Sequence, residues 1–328
     1  MTTLVAQIAP QRSTQYSALA ETLAAPELLL SPLGAHVTSL SVVTLGGQRY
    51  LKFDLPVAPA ASQRVELGML AMTSAYFVHY DAVEELAGPL LQPLDLPAAF
   101  ALPPDLVTTR RYRGKTNELF THFLCNVARF SSGYATLPWS ALRVLDPLAG
   151  GGTTLFVALT LGADAAGIEQ NRDDVKSTVA FLQQYAREAR IPCSLKEERL
   201  KKLGLRWRFT LGKPPQTCIL VNGDTVQAAA LLPGYRPHLI VTDLPYGIQH
   251  QGALDALLTA ALPVWAAMLQ PQGALAFAWD ATRFPRQEMV ALVESVSPLI
   301  VCNDPPYIDL AHRVDRVIKE RDVLVARR

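Results

Sequence analysis

The feature that most constrains the fold is a series of short apolar segments separated by helical stretches in the later part of the chain. Helical stretches such as 173–190 and 253–269 lie between most of these segments. Repeated strand and helix units imply a largely parallel sheet with helices on both faces. We therefore predict an α/β fold with a doubly wound, mostly parallel, seven-stranded sheet. Its strands are expected at 141–146, 165–169, 218–224, 238–244, 273–279, 297–303 and 322–326.

The first part of the chain has a different pattern. Proline-rich segments occur near 56–61 and at 89–104, and the second is typical of a linker. Before it, residues 33–55 alternate β-branched and polar residues around Gly46-Gly47, which indicates a hairpin. We predict a smaller N-terminal α+β domain, residues 1–105, with a role in substrate recognition, and a catalytic domain at 106–328.

Composition excludes several classes of protein. The 30 Lys and Arg residues nearly balance 29 Asp and Glu, so nucleic acid would have to bind through a local patch. The four cysteines form no CxxC pair, and neither they nor the six histidines indicate a metal site. No signal-peptide pattern opens the chain, and Pro263 interrupts its most apolar later stretch. We expect a cytoplasmic protein without a membrane segment.

The sharpest local signal is the segment VLDPLAGGGTTLFVALTLGA, in which a strand ends at Asp146 and a glycine turn opens a helix. Glycine lets the backbone approach a ligand beyond the carboxyl end of a strand. A dinucleotide motif would place glycine where Leu155 stands, and a P-loop would need the absent GK[ST]. Glu169 and Asp224 end the next two strands, so three acidic strand ends are expected in register. A carboxylate at Glu169 can accept both ribose hydroxyls of a nucleotide.

The fourth strand leads into Thr242-Asp243-Leu244-Pro245-Tyr246-Gly247. This segment resembles the (D/N)PPY motif of amino-group methyltransferases, in the DxPYG form of guanine-N2 RNA methyltransferases. Asp146 and Pro147 likewise resemble the first motif of class I methyltransferases, which use S-adenosylmethionine and have a Rossmann-like fold. The resemblance, together with the strand ends, assigns to the cofactor the residues Asp146, Pro147, Ala149, Gly150, Gly152, Thr153, Thr154, Glu169, Asp224, Thr116 and Asn117.

The reacting motif suits an amine whose lone pair is delocalised into a ring. If the Asp243 carboxylate and the Leu244 carbonyl accept the two amino hydrogens, the nitrogen can direct its lone pair at the methyl group. Pro245 favours an extended Leu244, and Tyr246 offers a face for base stacking. A second match, Asp304-Pro305-Pro306-Tyr307, follows the sixth strand. We interpret it as a loop bordering the substrate pocket, because it lies beyond the family position of the reacting motif.

Two basic segments could contact phosphate. The first, residues 110–120, contains Arg110, Arg111, Arg113 and Lys115, and Thr116 or Asn117 is expected to cap the following helix. Similar segments in amino-methyltransferases pack over the methionine end of the cofactor. The second, residues 193–215, interleaves basic residues with Trp207 and Phe209, a pattern that suits phosphate contact with base stacking or simply a solvated surface.

From about Arg110 onward the order of motifs resembles the tRNA guanine-N2 methyltransferases and related RNA methylases. The resemblance implies an enzyme that methylates an exocyclic amine of RNA, tRNA or rRNA, most simply guanine N2. Three alternatives stay open: methylation of adenine N6 or cytosine N4 in DNA, methylation of protein glutamine, and a catalytically silent cofactor-binding partner subunit. The short interval between the two motifs disfavours DNA, and intact Asp243 and Tyr246 disfavour silence.

Overall fold

A computed structural model describes residues 1–10, 18–97, 100–112, 115–201, 203–245, 251–314 and 319–328. The chain divides into two compact units. The smaller unit contains Met1–Ala99 and Asp304–Glu320, and the larger contains Phe100–Asn303 and Arg321–Arg328. The predicted catalytic domain, 106–328, included residues 304–320. The sequence predicts the strands on either side of this segment, but it carries no signal for where the connection between them packs.

In its described residues, the smaller unit is a five-stranded antiparallel sheet with two α-helices. Its elements are β1 (Thr2–Ile8), α1 (Leu19–Leu30), β2 (Ser39–Leu45), β3 (Gln48–Leu55), α2 (Ala61–Gly68), β4 (Thr73–Val83) and β5 (Leu86–Pro93). The strand order is β2-β3-β1-β4-β5. Strands β2 and β3 form the predicted hairpin, in which Leu45 pairs with Gln48 and both turn glycines have positive φ. The buried Glu27 carboxylate accepts the N–H groups of Ala71 and Met72 at 2.9 and 2.8 Å.

The larger unit is built on one mixed sheet with helices. Its strands are β6 (Arg143–Asp146), β7 (Asp164–Glu169), β8 (Cys193–Leu200), β9 (Gly204–Leu211), β10 (Gln216–Asn222), β11 (Leu239–Asp243), β12 (Ala274–Asp280), β13 (Ile300–Val301) and β14 (Arg321–Arg327). Its helices are α3 (Asp105–Thr109), α4 (Glu118–Ser131), α5 (Thr153–Leu161), α6 (Arg172–Glu188), α7 (Ala228–Leu231), α8 (Gln251–Met268) and α9 (Arg286–Val296).

The strand order is β13-β14-β12-β11-β6-β7-β10-β9-β8, and the five strands from β12 to β10 are parallel. The chain runs from β6 outward through β7 to β10, then returns to the other side of β6 with β11 and β12. The order therefore reverses between β6 and β11, and doubly wound folds bind ligands outside the carboxyl ends of strands at such a point. The Rossmann-like α/β arrangement agrees with the prediction.

The predicted number of strands, seven, is corrected to nine in the described part of the chain. All seven predicted strands are present, and the extra two are β8 and β9, which extend the sheet beyond β10. They come from the segment interpreted as a basic insertion. Trp207 and Phe209 on β9 are only 5% and 0% exposed, so the stacking role predicted for them is wrong. Strand alternation points these two rings into the core, where each contributes burial energy.

The long apolar helix α8 contains Pro263 and continues through it. Buried residues of α8, among them Trp265, pack with β11 and β12 side chains in one hydrophobic cluster. Within the described residues, no helix is both long and apolar enough to span a bilayer.

Candidate active site

A cavity of about 580 Å³ opens at the carboxyl ends of the central strands of the larger unit. Four carboxylates reach its wall from neighbouring strand ends: Asp146, Glu169 and Asp243 are the last residues of β6, β7 and β11, and Asp224 lies two residues after β10. Parallel strands bring their carboxyl ends to one edge of a sheet, so residues almost 100 positions apart in sequence meet here. The cavity is also lined by Thr116, Pro147, Ala149, Gly150, Thr153, Thr154, Leu244 and Pro245.

Two predicted cofactor residues do not line the cavity. Asn117 caps α4, because its side-chain oxygen accepts the N–H of Phe120 at 3.0 Å. Gly152 ends the glycine loop as the N-cap of α5, and its φ of 86° is readily adopted only by glycine. Tyr246 lies outside the described residues. The ligand contacts of every predicted site residue, including those that line the cavity, remain predictions.

Glu169 fixes the glycine loop as well as facing the cavity. Its Oε2 accepts the N–H of Gly150 at 2.8 Å, and its Oε1 accepts the N–H of Asn171 at 2.6 Å. A carboxylate has about four lone-pair sites, so each oxygen retains capacity for one further donor. Asp224 similarly caps the turn that follows it by accepting the N–H of Val226 at 3.0 Å.

Asp146 is only 3% exposed. Burial raises the pKa of its carboxyl group to about 6, while hydrogen bonds from Thr154 and from the N–H of Leu148 act in the opposite direction. A cation placed beside this carboxyl group would lower its pKa and stabilise its ionised form. The base of the cavity is therefore suited to a positively charged part of a ligand.

The segment before α4 closes over the glycine loop. The Tyr112 hydroxyl lies 2.6 Å from Thr153 Oγ1, and a Cβ on Gly151 would come within 2.2 Å of the Tyr112 ring. Arg110 is buried beneath it and donates to the Gly151 carbonyl and, at 2.6 Å, to the Thr178 hydroxyl. Burial lowers the pKa of Arg110 and raises that of Tyr112.

The packing of this segment corrects one prediction. Arg110 is used within the protein, and Lys115 donates to two backbone carbonyls and pairs with Glu118. The phosphate contact predicted for these two residues is wrong, whereas Arg111 is exposed. Tyr112 and Arg110 belong to the site as loop-covering residues, a role that the sequence indicated for the segment but not for either side chain.

The reacting motif is positioned by its neighbours. Thr116 Oγ1 donates to Asp243 Oδ2 at 2.8 Å, and Arg321 Nη2 lies 3.8 Å from the same oxygen. The N–H of Leu244 donates to the carbonyl of Ala278 on the adjacent strand at 2.9 Å. Asp243 is the last residue of β11, and the side chain of Leu244 is buried, so the sheet holds both Asp243 and Leu244 in place. Arg321 gave no signal in the sequence.

The second motif, at Asp304, belongs to a segment that groups with the smaller unit. Residues Tyr307–Asp309 form a short 3-10 turn there. Its predicted place beside a substrate pocket stays a prediction. In the described ranges, no group of three His, Cys, Asp or Glu residues could hold a metal ion.

No family model matches the chain, and no curated protein is similar to it in sequence. Among solved structures it is similar to TrmN from Thermus thermophilus, with 13% identity, full coverage of both chains and a TM-score of 0.48. It is also similar to AviRa, an rRNA methyltransferase from Streptomyces viridochromogenes, with 14% identity over 69% of this chain and 91% of that one and a TM-score of 0.43.

A third similar structure is RsmC, the Thermus thermophilus 16S rRNA N2 G1207 methyltransferase, solved in complex with AdoMet and guanosine. Its identity is 16% over 90% of this chain and 59% of that chain, and the TM-score is 0.39. The solved structures that this chain resembles thus include RNA methyltransferases. At these identities, function has to be argued from the site itself.

Proposed function

We propose that the protein is an S-adenosylmethionine-dependent methyltransferase that acts on an exocyclic amino group of a nucleic-acid base, guanine N2 in structured RNA. The observation that carries the proposal is one cavity containing both halves of such a site. A glycine loop with three acidic strand ends lines it together with Asp243 of the reacting motif. Donor and acceptor sites must share a cavity, because methyl transfer requires close approach of the reacting atoms.

The residues present fit the cofactor. Glu169 has acceptor capacity left for two ribose hydroxyls, and Asp224 lies at the next strand end for the adenine amino group. The buried Asp146 suits the ammonium group of the methionine part, since a cation offsets the cost of ionising this carboxyl group. When bound, the cofactor supplies a methyl group on a positively charged sulfur atom.

Asp243 and Leu244 prepare the acceptor. The Asp243 carboxylate and the Leu244 carbonyl accept the two amino hydrogens and turn the nitrogen lone pair toward the methyl carbon. The bound cofactor would supply the methyl carbon for the new nitrogen–carbon bond, and the electron pair of the broken carbon–sulfur bond would leave with its sulfur. The nitrogen then gives up one proton, for which Asp243 is the adjacent base. Leu244 keeps its orientation because its N–H is bonded to β12.

Two observations support an RNA substrate: the charge distribution favours a nucleic acid over a protein, and the use of the segment between the two motifs favours RNA over DNA. Lys and Arg are in excess in the larger unit, whereas Asp and Glu are in excess in the smaller one. Phosphate contacts are therefore assigned to the catalytic unit, where the β8–β9 hairpin exposes Arg199 and Lys201. The described residues between the two motifs extend the sheet through β8 and β9, so little of this interval is left for a large target-recognition insert of the kind that would favour DNA.

Substrate recognition by the smaller unit remains part of the proposal. Because that unit carries an excess of acidic residues, its overall charge does not attract RNA, and we expect neutral hydrogen-bonding and stacking groups to contribute to recognition. The protein acts in the cytoplasm, where it meets tRNA and rRNA.

The proposal is tested by incubating the protein with tritiated S-adenosylmethionine and, separately, total RNA, duplex DNA and cell protein. Each labelled pool is then digested to nucleosides or amino acids. We expect label in RNA as N2-methylguanosine. Label confined to DNA or protein would contradict the RNA assignment, and no label in any pool from a cofactor-binding protein would favour the silent partner.

A further inference from the structure

The carboxylate of Asp243 is held by two groups that are distant in sequence. Thr116, immediately before the cap of α4, donates its hydroxyl hydrogen to Oδ2 at 2.8 Å. Arg321, the first residue of β14, places Nη2 at 3.8 Å from the same oxygen. Both interactions converge on one of the two carboxylate oxygens, so they constrain its orientation as well as its position.

Arg321 is fixed by its surroundings. Its side chain is 5% exposed, and the guanidinium lies over the ring of Phe120 at 4.7 Å from the centroid. Phe120, in the first turn of α4, is fully buried. A guanidinium over an aromatic face gains a cation–π interaction, which helps to hold it where solvent cannot. The same helix that follows Thr116 thus supports Arg321.

Strand topology explains how Arg321 reaches the site. Strand β14 runs antiparallel to β12, so its first residue lies at the carboxyl edge of the parallel strands, where Arg321 pairs with Asp280. Strand β12 pairs in turn with β11, with Ala278 opposite Asp243. An arginine at the start of the last long strand is therefore two strands away from the reacting motif, within reach of its long side chain.

We propose that Thr116 and Arg321 are positioning residues of the acceptor site, which orient the Asp243 carboxylate toward the target amine. This inference rests on the proposed function and assigns Thr116 a role different from the cofactor contact expected from the sequence. The terminal torsion of an aspartate is broad when unconstrained. The Thr116 hydrogen bond narrows it, and the Arg321 charge offsets the cost of holding a carboxylate that is only 12% exposed.

The two roles of Thr116 give different kinetics. A cofactor contact would appear in the dissociation constant for S-adenosylmethionine. A positioning role appears in kcat, because a misplaced Asp243 no longer prepares the amine, and a displacement of about 1 Å can cost about a hundredfold in rate. The role also predicts that Thr116 has no effect when the group that it orients has already been changed.

The experiment compares Thr116→Val with the matched control Thr116→Ser, alone and combined with Asp243→Ala, which removes the acceptor of the Thr116 hydrogen bond. Cofactor affinity is measured by calorimetry, and kcat and KM are measured by tritium transfer to the RNA that the wild-type protein labels. We expect Thr116→Val to lower kcat about 10- to 100-fold with cofactor affinity within about twofold of wild type, and Thr116→Ser to retain most activity. On the Asp243→Ala background, Thr116→Val should cause little further loss, because the carboxylate that Thr116 orients is no longer present.

Arg321→Lys keeps the charge but loses the planar guanidinium group. It should also lower kcat without reducing the affinity for the cofactor. Wild-type kcat in Thr116→Val, a loss confined to cofactor affinity, or equal losses on both Asp243 backgrounds would each overturn the inference. A wild-type protein that labels no pool would instead refute the proposed function itself. The two failures are therefore distinguished before any variant is compared.

Discussion

Replacing Asp146 with asparagine should stabilise the fold while weakening cofactor binding. The carboxyl group is buried, and its pKa is raised from an ordinary 3.8 to about 6. At about 1.4 kcal/mol per pKa unit, this shift costs the folded state up to about 3 kcal/mol at neutral pH. Asparagine has nearly the same shape and an oxygen that can still accept the Leu148 N–H, but it carries no charge.

Proton linkage determines how the stability difference between Asp146→Asn and wild type changes with pH. The folded state binds the Asp146 proton more tightly than the unfolded state does. The free energy of unfolding of the wild type therefore falls by up to about 3 kcal/mol as pH rises from about 4 to above about 6. The advantage of Asp146→Asn should therefore be about half as large at pH 5 as at pH 7.5, where it approaches about 3 kcal/mol. For a unit of this size, each kcal/mol corresponds to about 2–4 °C in Tm.

The assay is thermal and urea unfolding of both proteins without cofactor at several pH values between 5 and 8. A variant that is less stable than wild type at pH 7.5, or a stability difference that does not change with pH, would refute the reasoning. Calorimetry on the same samples should show cofactor affinity reduced at least tenfold in the variant, since the cationic part of the cofactor loses its counter-charge. Unchanged affinity would remove Asp146 from the binding site.

The remaining predictions concern the reacting motif and the glycine loop. Asp243→Ala should lower kcat about a hundredfold or more with cofactor affinity nearly unchanged. Asp304→Ala, in the second motif, is its control and should be milder, so the reverse ranking would move catalysis to Asp304. Gly151→Ala should lower Tm, because its Cβ would lie 2.2 Å from the Tyr112 ring. If that contact is the cause, adding Tyr112→Ala should recover part of the loss, and strictly additive losses would contradict it.

The central site was predictable because its residues follow local rules. Asp146, Glu169 and Asp243 each end an apolar strand, and a parallel sheet brings such ends together whatever the length of chain between them. The glycine turn is equally local, since the left-handed φ at Gly150 and Gly152 requires this residue type. These features allow both the sheet and its ligand edge to be inferred before any contact is known.

The hairpin at residues 193–211 was less predictable, although its sequence alternates. Charged residues fill one of its faces, where Glu198 pairs with Lys196 and Arg206. Such a pattern resembles a solvated basic segment unless the cross-strand pairs are known. In contrast, Trp207 and Phe209 occupy the buried face, so the alternation with Arg206 and Arg208 was the signal that would have identified the strand.

Long-range contacts could not be inferred from the sequence. Thr116 and Asp243 are 127 positions apart, and neither residue type predicts the other as a partner. The same holds for Arg321, whose position depends on the antiparallel direction of β14. Local patterns determine which residues reach an edge of the sheet, whereas packing determines which of them meet.

Binding of S-adenosylmethionine in the cavity is tested most directly by isothermal titration of the protein with this cofactor or its demethylated product, with NAD as the control ligand. We predict saturable binding of one cofactor per chain and no binding of NAD. Glu169→Ala should strongly reduce the affinity for the cofactor, because the carboxylate both lines the cavity and accepts the N–H of Gly150. Binding of NAD without any binding of S-adenosylmethionine would contradict the central claim.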